Sequence, residues 1–148
     1  MGLDMYLYHR TEPTESDSQY LRGIGLDEHE IKYSNIECMA YWRKANAIHG
    51  WFIENIAEGI DNCKPIKVTS EDLECLLDEV HLELKLKDTD EVGNLEPYHG
   101  FFFGSYERDE YYYEYLEETV PKVEGILKYM RSPEWDPVIH SIIYWPSW

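Results

Sequence analysis

Leu3, Met5 and Leu7 alternate with Asp4, Tyr6 and Tyr8, a period of two that predicts a strand over residues 3–9 with one face in a core. From Thr11 to about Asn35 the pattern gives way to polar residues around Pro13, Gly23, Gly25 and the run Asp27, Glu28, His29, Glu30. A long excursion is expected there, with room for a short strand at Ile31–Tyr33. Such an excursion is either a functional or mobile loop or a cover for a sheet edge. Beyond it, Tyr41, Ala45, Ile48, Phe52 and Ile56 recur at helical spacing. With Ser34 or Asn35 as cap and Gly59 as stop, they predict a helix from about Ile36 to Glu58.

A brief strand is expected at Pro65–Val68, followed by Thr69 with Asp72 three residues on, the spacing of a capping box. Leu73, Leu76, Leu77, Val80 and Leu84 then form the stripe of a second amphipathic helix, which fades in the polar stretch 85–93. Gly100–Phe103, aromatic and bounded by glycines, reads as a buried strand. Asp109 is placed to cap a third helix carrying Tyr112, Tyr113, Leu116, Val120, Val123 and Leu127 on one face, with Pro121 expected to kink or split it. Val138–Trp145 reads as the closing strand. The sum is a single α+β domain over residues 1–148: a small, mostly antiparallel sheet of about four strands packed with three amphipathic helices. Internal repeats and low-complexity linkers are lacking.

Charge changes the picture of partners. The 148 residues include 30 Asp and Glu against 13 Lys and Arg, a formal charge of −17. That balance disfavours nucleic acid and anionic membrane surfaces, which are held by clustered cations. It suits either a surface that docks on a basic protein, or simply a self-repelling, soluble one. Aromatic residues make up 15% of the chain, with 13 Tyr and 5 Trp, which argues against disorder and supplies amphipathic contact surface. Cys38, Cys63 and Cys75 form neither a disulfide framework nor a zinc motif, so a reducing, cytoplasmic compartment is expected. No secretory leader and no membrane-spanning run is legible.

The segment Tyr41–Phe52 carries the most particular chemistry. On a helix, Trp42, Asn46, His49 and Ile53 would share one strip, with Arg43 on the next. Trp42 offers a stacking face, Asn46 donors and an acceptor, His49 a titratable ring and Arg43 a planar fork, a set suited to a base, a ribose or a phosphate. The competing reading is internal bracing, with Arg43 paired to Asp4 or another strand carboxylate and Asn46 and His49 tied to neighbouring backbone. The Gly104-Ser105 turn could add anion-binding backbone N–H groups, although Glu107, Asp109 and Glu110 crowd the same turn. Those acids have no EF-hand spacing, so no metal is expected. Among Tyr111, Tyr112 and Tyr113 at least one must approach solvent or a partner, with Tyr112 and Tyr113 the core candidates. His29 reads as a solvated loop residue and His81 as structural. Catalytic signatures are missing. A His49 general base beside Asp4, Glu107 or Asp109 is not favoured by spacing, and the expectation is non-catalytic binding without a cofactor.

The opening Met1–Leu7, the run Tyr41–His49, Gly100–Ser105, Asp109–Glu114 and the terminal Ser147 and Trp148 together resemble a family of small uncharacterised proteins encoded by tailed phages and prophages. Pro121 and the segment 139–145 fit that pattern less well. The resemblance implies a phage accessory protein in the host bacterial cytosol, with counter-defence as its role, and transfers no chemistry. Two mechanisms are compatible with it. One is sequestration of a nucleotide-like small molecule or immune signal in a pocket lined by Trp42, Arg43, Asn46, His49, Gly104 and Ser105. The other is an acidic inhibitor or nucleic-acid mimic whose Glu107, Asp109, Glu110, Glu114, Glu117 and Glu118 dock on a basic host defence protein. A phage structural or assembly factor presenting tyrosines is a third role, and self-association is left open.

Overall fold

The computed structural model describes residues 2–100 and 102–148. In chain order the elements are β1 (Asp4–Thr11), α1 (Glu15–Gly23), α2 (Glu28–Lys32), β2 (Ile36–Arg43), α3 (Asn46–Asn55), β3 (Ile66–Val68), α4 (Ser70–Leu86), α5 (Glu110–Met130) and β4 (His140–Ser147). The strands form one antiparallel sheet in the order β2-β1-β4-β3. Among the described residues the architecture is therefore a four-stranded sheet with five helices in an α+β domain.

The period-two pattern of β1 decides the layering. Met5, Leu7 and His9 point to the inner face, where Met5 stands opposite Trp42 on β2 and Leu7 opposite Tyr144 on β4. Met5, Leu7, Trp42 and Tyr144 join Ile48 and Phe52 of α3, Leu73, Leu76 and Val80 of α4, and Leu116, Val123 and Ile126 of α5 in one buried cluster. Tyr6, Tyr8 and Arg10 point to the outer face. There α2 covers one end: Arg10 Nε donates to Lys32 O, and the Tyr33 ring stands 5.1 Å from Trp145 of β4. The excursion after β1 is thus ordered as two short helices, capped by Thr14 and by a full capping box at Asp27 and Glu30.

Three expected elements are corrected. Residues 36–43 are a strand, and the helix begins only at Asn46. The register against β1 shifts between Leu7 and Tyr8, so Met39 is the extra residue of a β-bulge. That insertion breaks strict alternation in β2 and leaves apolar residues at a spacing that imitates a helix. Lys44 then adopts φ 54° and separates strand from helix. Residues 31–33 are not a strand; they end α2. Gly100, Phe102 and Phe103 form a turn, with Phe103 N donating to Gly100 O at 3.2 Å, instead of the expected strand. The Phe101 portion of that expectation lies outside the described residues.

Pro121 neither splits nor ends α5, which runs unbroken to Met130. The ring is exposed and costs one backbone bond, while Leu116 and Val123 on either side are fully buried and hold both halves against the core. The capping box at Thr69 and Asp72 and the Asp109 cap occur as expected. Tyr112 is core, Tyr113 half-buried and Tyr111 exposed.

The free edge of β2 is guarded by α5. Lys122 Nζ donates to Tyr41 O at 2.5 Å and the Tyr111 hydroxyl donates to Arg43 O, so carbonyls that would recruit another strand are occupied. Inside the same contact, the Trp42 indole donates to Thr119 Oγ1 at 2.9 Å with both groups buried. Thr119→Val should leave that N–H unpartnered and destabilise the protein by about 1–3 kcal/mol, read as a lower Tm, with Thr119→Ser close to wild type.

His9 on β1 is nine-tenths buried against His140 of β4, Tyr129 of α5 and Trp135, with Glu37 of β2 4.0 Å from Nδ1. Burial first, and His140 second, hold its pKa below that of free imidazole, with Glu37 opposing. The unfolded chain therefore takes up this proton first, at roughly pH 6.5. Stability from this site is present above that pH and lost as pH falls below it. Thermal melts from pH 8 to 5 should show Tm falling below about pH 6.5, and His9→Leu should flatten that slope.

Candidate functional site

Trp42 and Arg43 belong to β2, whereas Asn46 and His49 belong to the first turns of α3, so the four do not form one helical strip. Strand alternation sends Trp42 inward and Arg43 outward. The Trp42 ring is committed to Thr119 and lies under the Lys122 ammonium at 5.2 Å. Arg43 extends over the outer face, where Nη1 meets Asp4 Oδ1 at 3.1 Å and Tyr41 donates to the same oxygen at 2.5 Å. The bracing alternative for Arg43 is what the structure contains.

Asn46 is 1% exposed and uses both ends of its amide. Nδ2 donates to Phe103 O at 3.1 Å and Ser105 O at 2.8 Å, while Oδ1 accepts from Tyr98 N at 3.0 Å. One side chain thereby holds the 98–105 segment against α3. Gly50 permits the same close approach, since a Cβ there would lie 2.6 Å from the Tyr98 side chain. Gly104 takes φ +97°, where a side chain would be strained, and Ser105 Oγ accepts from Glu107 N at 3.2 Å. The turn next to α5 is filled by its own acids: Asp109 accepts from Tyr112 N at 2.9 Å.

His49 is fully buried. Its Nε2 lies 2.9 Å from Asp61 Oδ2 and its Nδ1 2.6 Å from the Tyr144 hydroxyl. Burial, and next the Asp61 charge, push the Tyr144 phenol well above its usual range, so the phenol keeps its proton and donates it to Nδ1. Nε2–H then donates a hydrogen bond to the acceptor-only Asp61 carboxylate. Tyr98 and Phe103 stand edge-on to the imidazole at 5.6 and 5.3 Å. Asp61 also accepts from the Trp148 indole at 2.9 Å, which ties the last residue to the loop after α3. The carboxylate beside His49 is thus Asp61, not Asp4, Glu107 or Asp109, and neither ring nitrogen is open to a substrate.

A cleft of about 210 Å³ does reach Trp42 and Arg43, between the β2 edge and Tyr111, Tyr115, Glu118 and Lys122 of α5. Asn46, His49, Gly104 and Ser105 are not among its walls. No buried side-chain nitrogen or oxygen among the described residues is left without a partner. The six expected pocket residues are consequently divided between core, outer face and loop brace.

Two other surfaces bear on the binding of a partner. On α5, Glu110, Glu114, Glu117, Glu118 and Glu124 are all exposed, with Glu107 just before the helix and Asp109 half-buried as its cap. On the opposite side, Tyr6, Tyr8 and Trp145 line a groove of about 560 Å³ across the outer sheet face. The alternation at Tyr6 and Tyr8 was the available signal for that groove; Trp145 and Cys63 meet there only through the pairing of β4 beside β1. Asp61 and Tyr144 carried no local signal, because their role depends on a contact with His49 across the fold. Among the described residues, no helix is long and apolar enough to cross a membrane, and no three His, Cys, Asp or Glu side chains gather as a metal site.

His49→Leu should strand the Tyr144 hydroxyl, take from Asp61 Oδ2 its imidazole donor and cost about 3 kcal/mol in chemical denaturation. No protein-family model, curated protein or solved structure matches the chain, so the use of these surfaces rests on their own chemistry.

Proposed function

We propose that this protein acts by non-catalytic binding, docking the acidic face of α5 on a basic surface of a partner protein. The observation that carries this reading is the exposed stripe Glu110, Glu114, Glu117, Glu118 and Glu124 on one unbroken helix. Glu110, Glu114 and Glu118 follow at steps of four, and Glu117 and Glu124 stand a heptad apart beside them, which keeps the carboxylates within about a third of the helix circumference over roughly 21 Å. Lys87 and Lys122 approach Glu110 and Glu118 at 3.8 and 3.7 Å, but among the described residues no ion pair engages Glu114, Glu117 or Glu124. The inner face of the same helix is anchored by Tyr112, Tyr115, Leu116, Val123 and Ile126, so the stripe is presented on a rigid support.

The charge of −17 works in the same direction. It steers a basic partner towards the protein from beyond the contact distance and repels nucleotides and phosphates. The nucleotide-pocket alternative asks Trp42, Asn46 and His49 to turn towards a ligand, and each of those side chains already has its partners inside the fold. In the phage setting that the resemblance implies, the partner would be a basic host defence protein whose nucleic-acid surface is occupied by the stripe.

Capture from host cytosol at low salt, followed by measurement with the purified partner, tests this. Affinity should fall about tenfold or more between 50 and 200 mM salt. The combined variant Glu114→Lys, Glu117→Lys, Glu118→Lys should lose at least about tenfold more with Tm near wild type. A partner that binds the charge-reversed variant equally well would overturn the reading.

A further inference from the structure

The outer sheet face carries a second surface, on the side of the sheet opposite α5. Its cross-strand neighbours are set by register: Tyr6 lies between Tyr41 on β2 and Trp145 on β4, and Tyr8 between Cys38 and Ile143. Tyr6 and Tyr8 stack at 5.4 Å, and Trp145 meets Tyr8 at 6.2 Å with the ring planes 78° apart. Near-perpendicular rings form a corner, not a flat platform. Ile36, Cys63 and Pro146 complete a groove of about 560 Å³ whose walls carry no formal charge.

We propose that this groove receives an arginine side chain of a partner protein, held by cation–π contact in the corner between Tyr8 and Trp145. The proposal deepens the reading of a basic partner and rests on it for the partner's charge. Charge complementarity selects the occupant: a chain of net charge −17 attracts a cation and repels a phosphate or nucleobase ligand. A guanidinium is planar, weakly hydrated and stacks on aromatic faces, so it gives up less hydration in a neutral groove than an ammonium does.

The chain's own aromatic residues take cations of both kinds. Arg10 and Lys32 stand 5.8 and 5.5 Å from the Tyr33 ring centre, and that ring adjoins Trp145. Lys122 covers Trp42, Lys87 covers Tyr113 and Arg108 covers Tyr112. Among the described residues, no Lys or Arg lies over Tyr6, Tyr8 or Trp145, and His29 of α2 meets only Trp145, edge-on at 6.1 Å. Beyond the end held by Arg10 and Lys32, the face is bordered by Arg43, which is neutralised by Asp4, and by Lys67 on the far strand β3. The covered end of the face is thus supplied with cations from within, and the open end is the part without one.

The test is an NMR titration of the labelled protein with a short Gly-Arg-Gly-Arg-Gly peptide and with its citrulline counterpart, which keeps the shape and removes the charge. The arginine peptide should shift the Trp145 indole and the Tyr6 and Tyr8 ring signals, and the citrulline peptide should shift them little. Trp145→Phe and Tyr8→Leu should each weaken the arginine response about three- to tenfold. The charge-reversed α5 variant should keep the shifts at Trp145, Tyr6 and Tyr8, which separates failure of this site from failure of the α5 stripe. Equal shifts with citrulline, shifts confined to α5, or none at about 10 mM peptide, a level that populates even millimolar complexes, would overturn the proposal. The wild-type comparison of the two peptides decides the matter even if a variant does not fold.

Discussion

The hydrogen-bonded chain from Tyr144 through His49 to Asp61 is the constraint on which the rest of the structure depends. It joins a central strand, the first core helix and the loop that follows that helix, around an imidazole with no solvent exposure. A buried imidazole is tolerable only when both nitrogens are matched, and here a phenol and a carboxylate match them. Around it Phe52 stacks on Tyr144 at 4.0 Å and Phe103 packs edge-on. Asn46, one turn earlier, secures the loop that carries Phe103. The polar residues at the start of α3 therefore specify how three segments meet, while the hydrophobic cluster supplies the driving force.

The same logic recurs where α4 meets α5. Glu83 is 2% exposed, yet Arg108 and the Tyr112 hydroxyl reach it at 3.4 and 3.1 Å. Arg108 also donates to Gly93 O at 3.1 Å and Tyr112 to Leu95 O at 2.6 Å, closing the long connection between the two helices. Cations are scarce in this chain, and several of them serve inside it as anchors and ring partners. What is left for the exterior is mostly carboxylate and tyrosine. That division leaves an acidic helix face on one side of the sheet and an uncharged aromatic groove on the other.

Much of the architecture was legible because it follows from local rules. The alternation of Leu3, Met5 and Leu7, the Thr69–Asp72 capping box and the Asp109 cap each need only neighbours in sequence. The errors arose where tertiary contacts decide. In β2 the bulge at Met39 disguised the strand, and Phe102 and Phe103 proved to lie in a turn that inserts Phe103 beside His49. The candidate pocket failed to assemble for the same reason. Trp42 and Asn46 stand at helical spacing only if one helix contains both, and Lys44 with its positive φ puts them in different elements. Asn and His in an apolar stretch were informative as residues that need partners, but the sequence could not show that Asp61, Tyr144 and Tyr98 would be those partners.

The most direct measurement of this account is the imidazole of His49 itself, observed by long-range proton–nitrogen NMR. A braced ring should show a single tautomer with the proton on Nε2, slow exchange with water and no change when nucleotides are added. A proton that exchanges rapidly, or ring signals that move with a nucleotide, would contradict the assignment of this edge to internal bracing and restore it to a binding site.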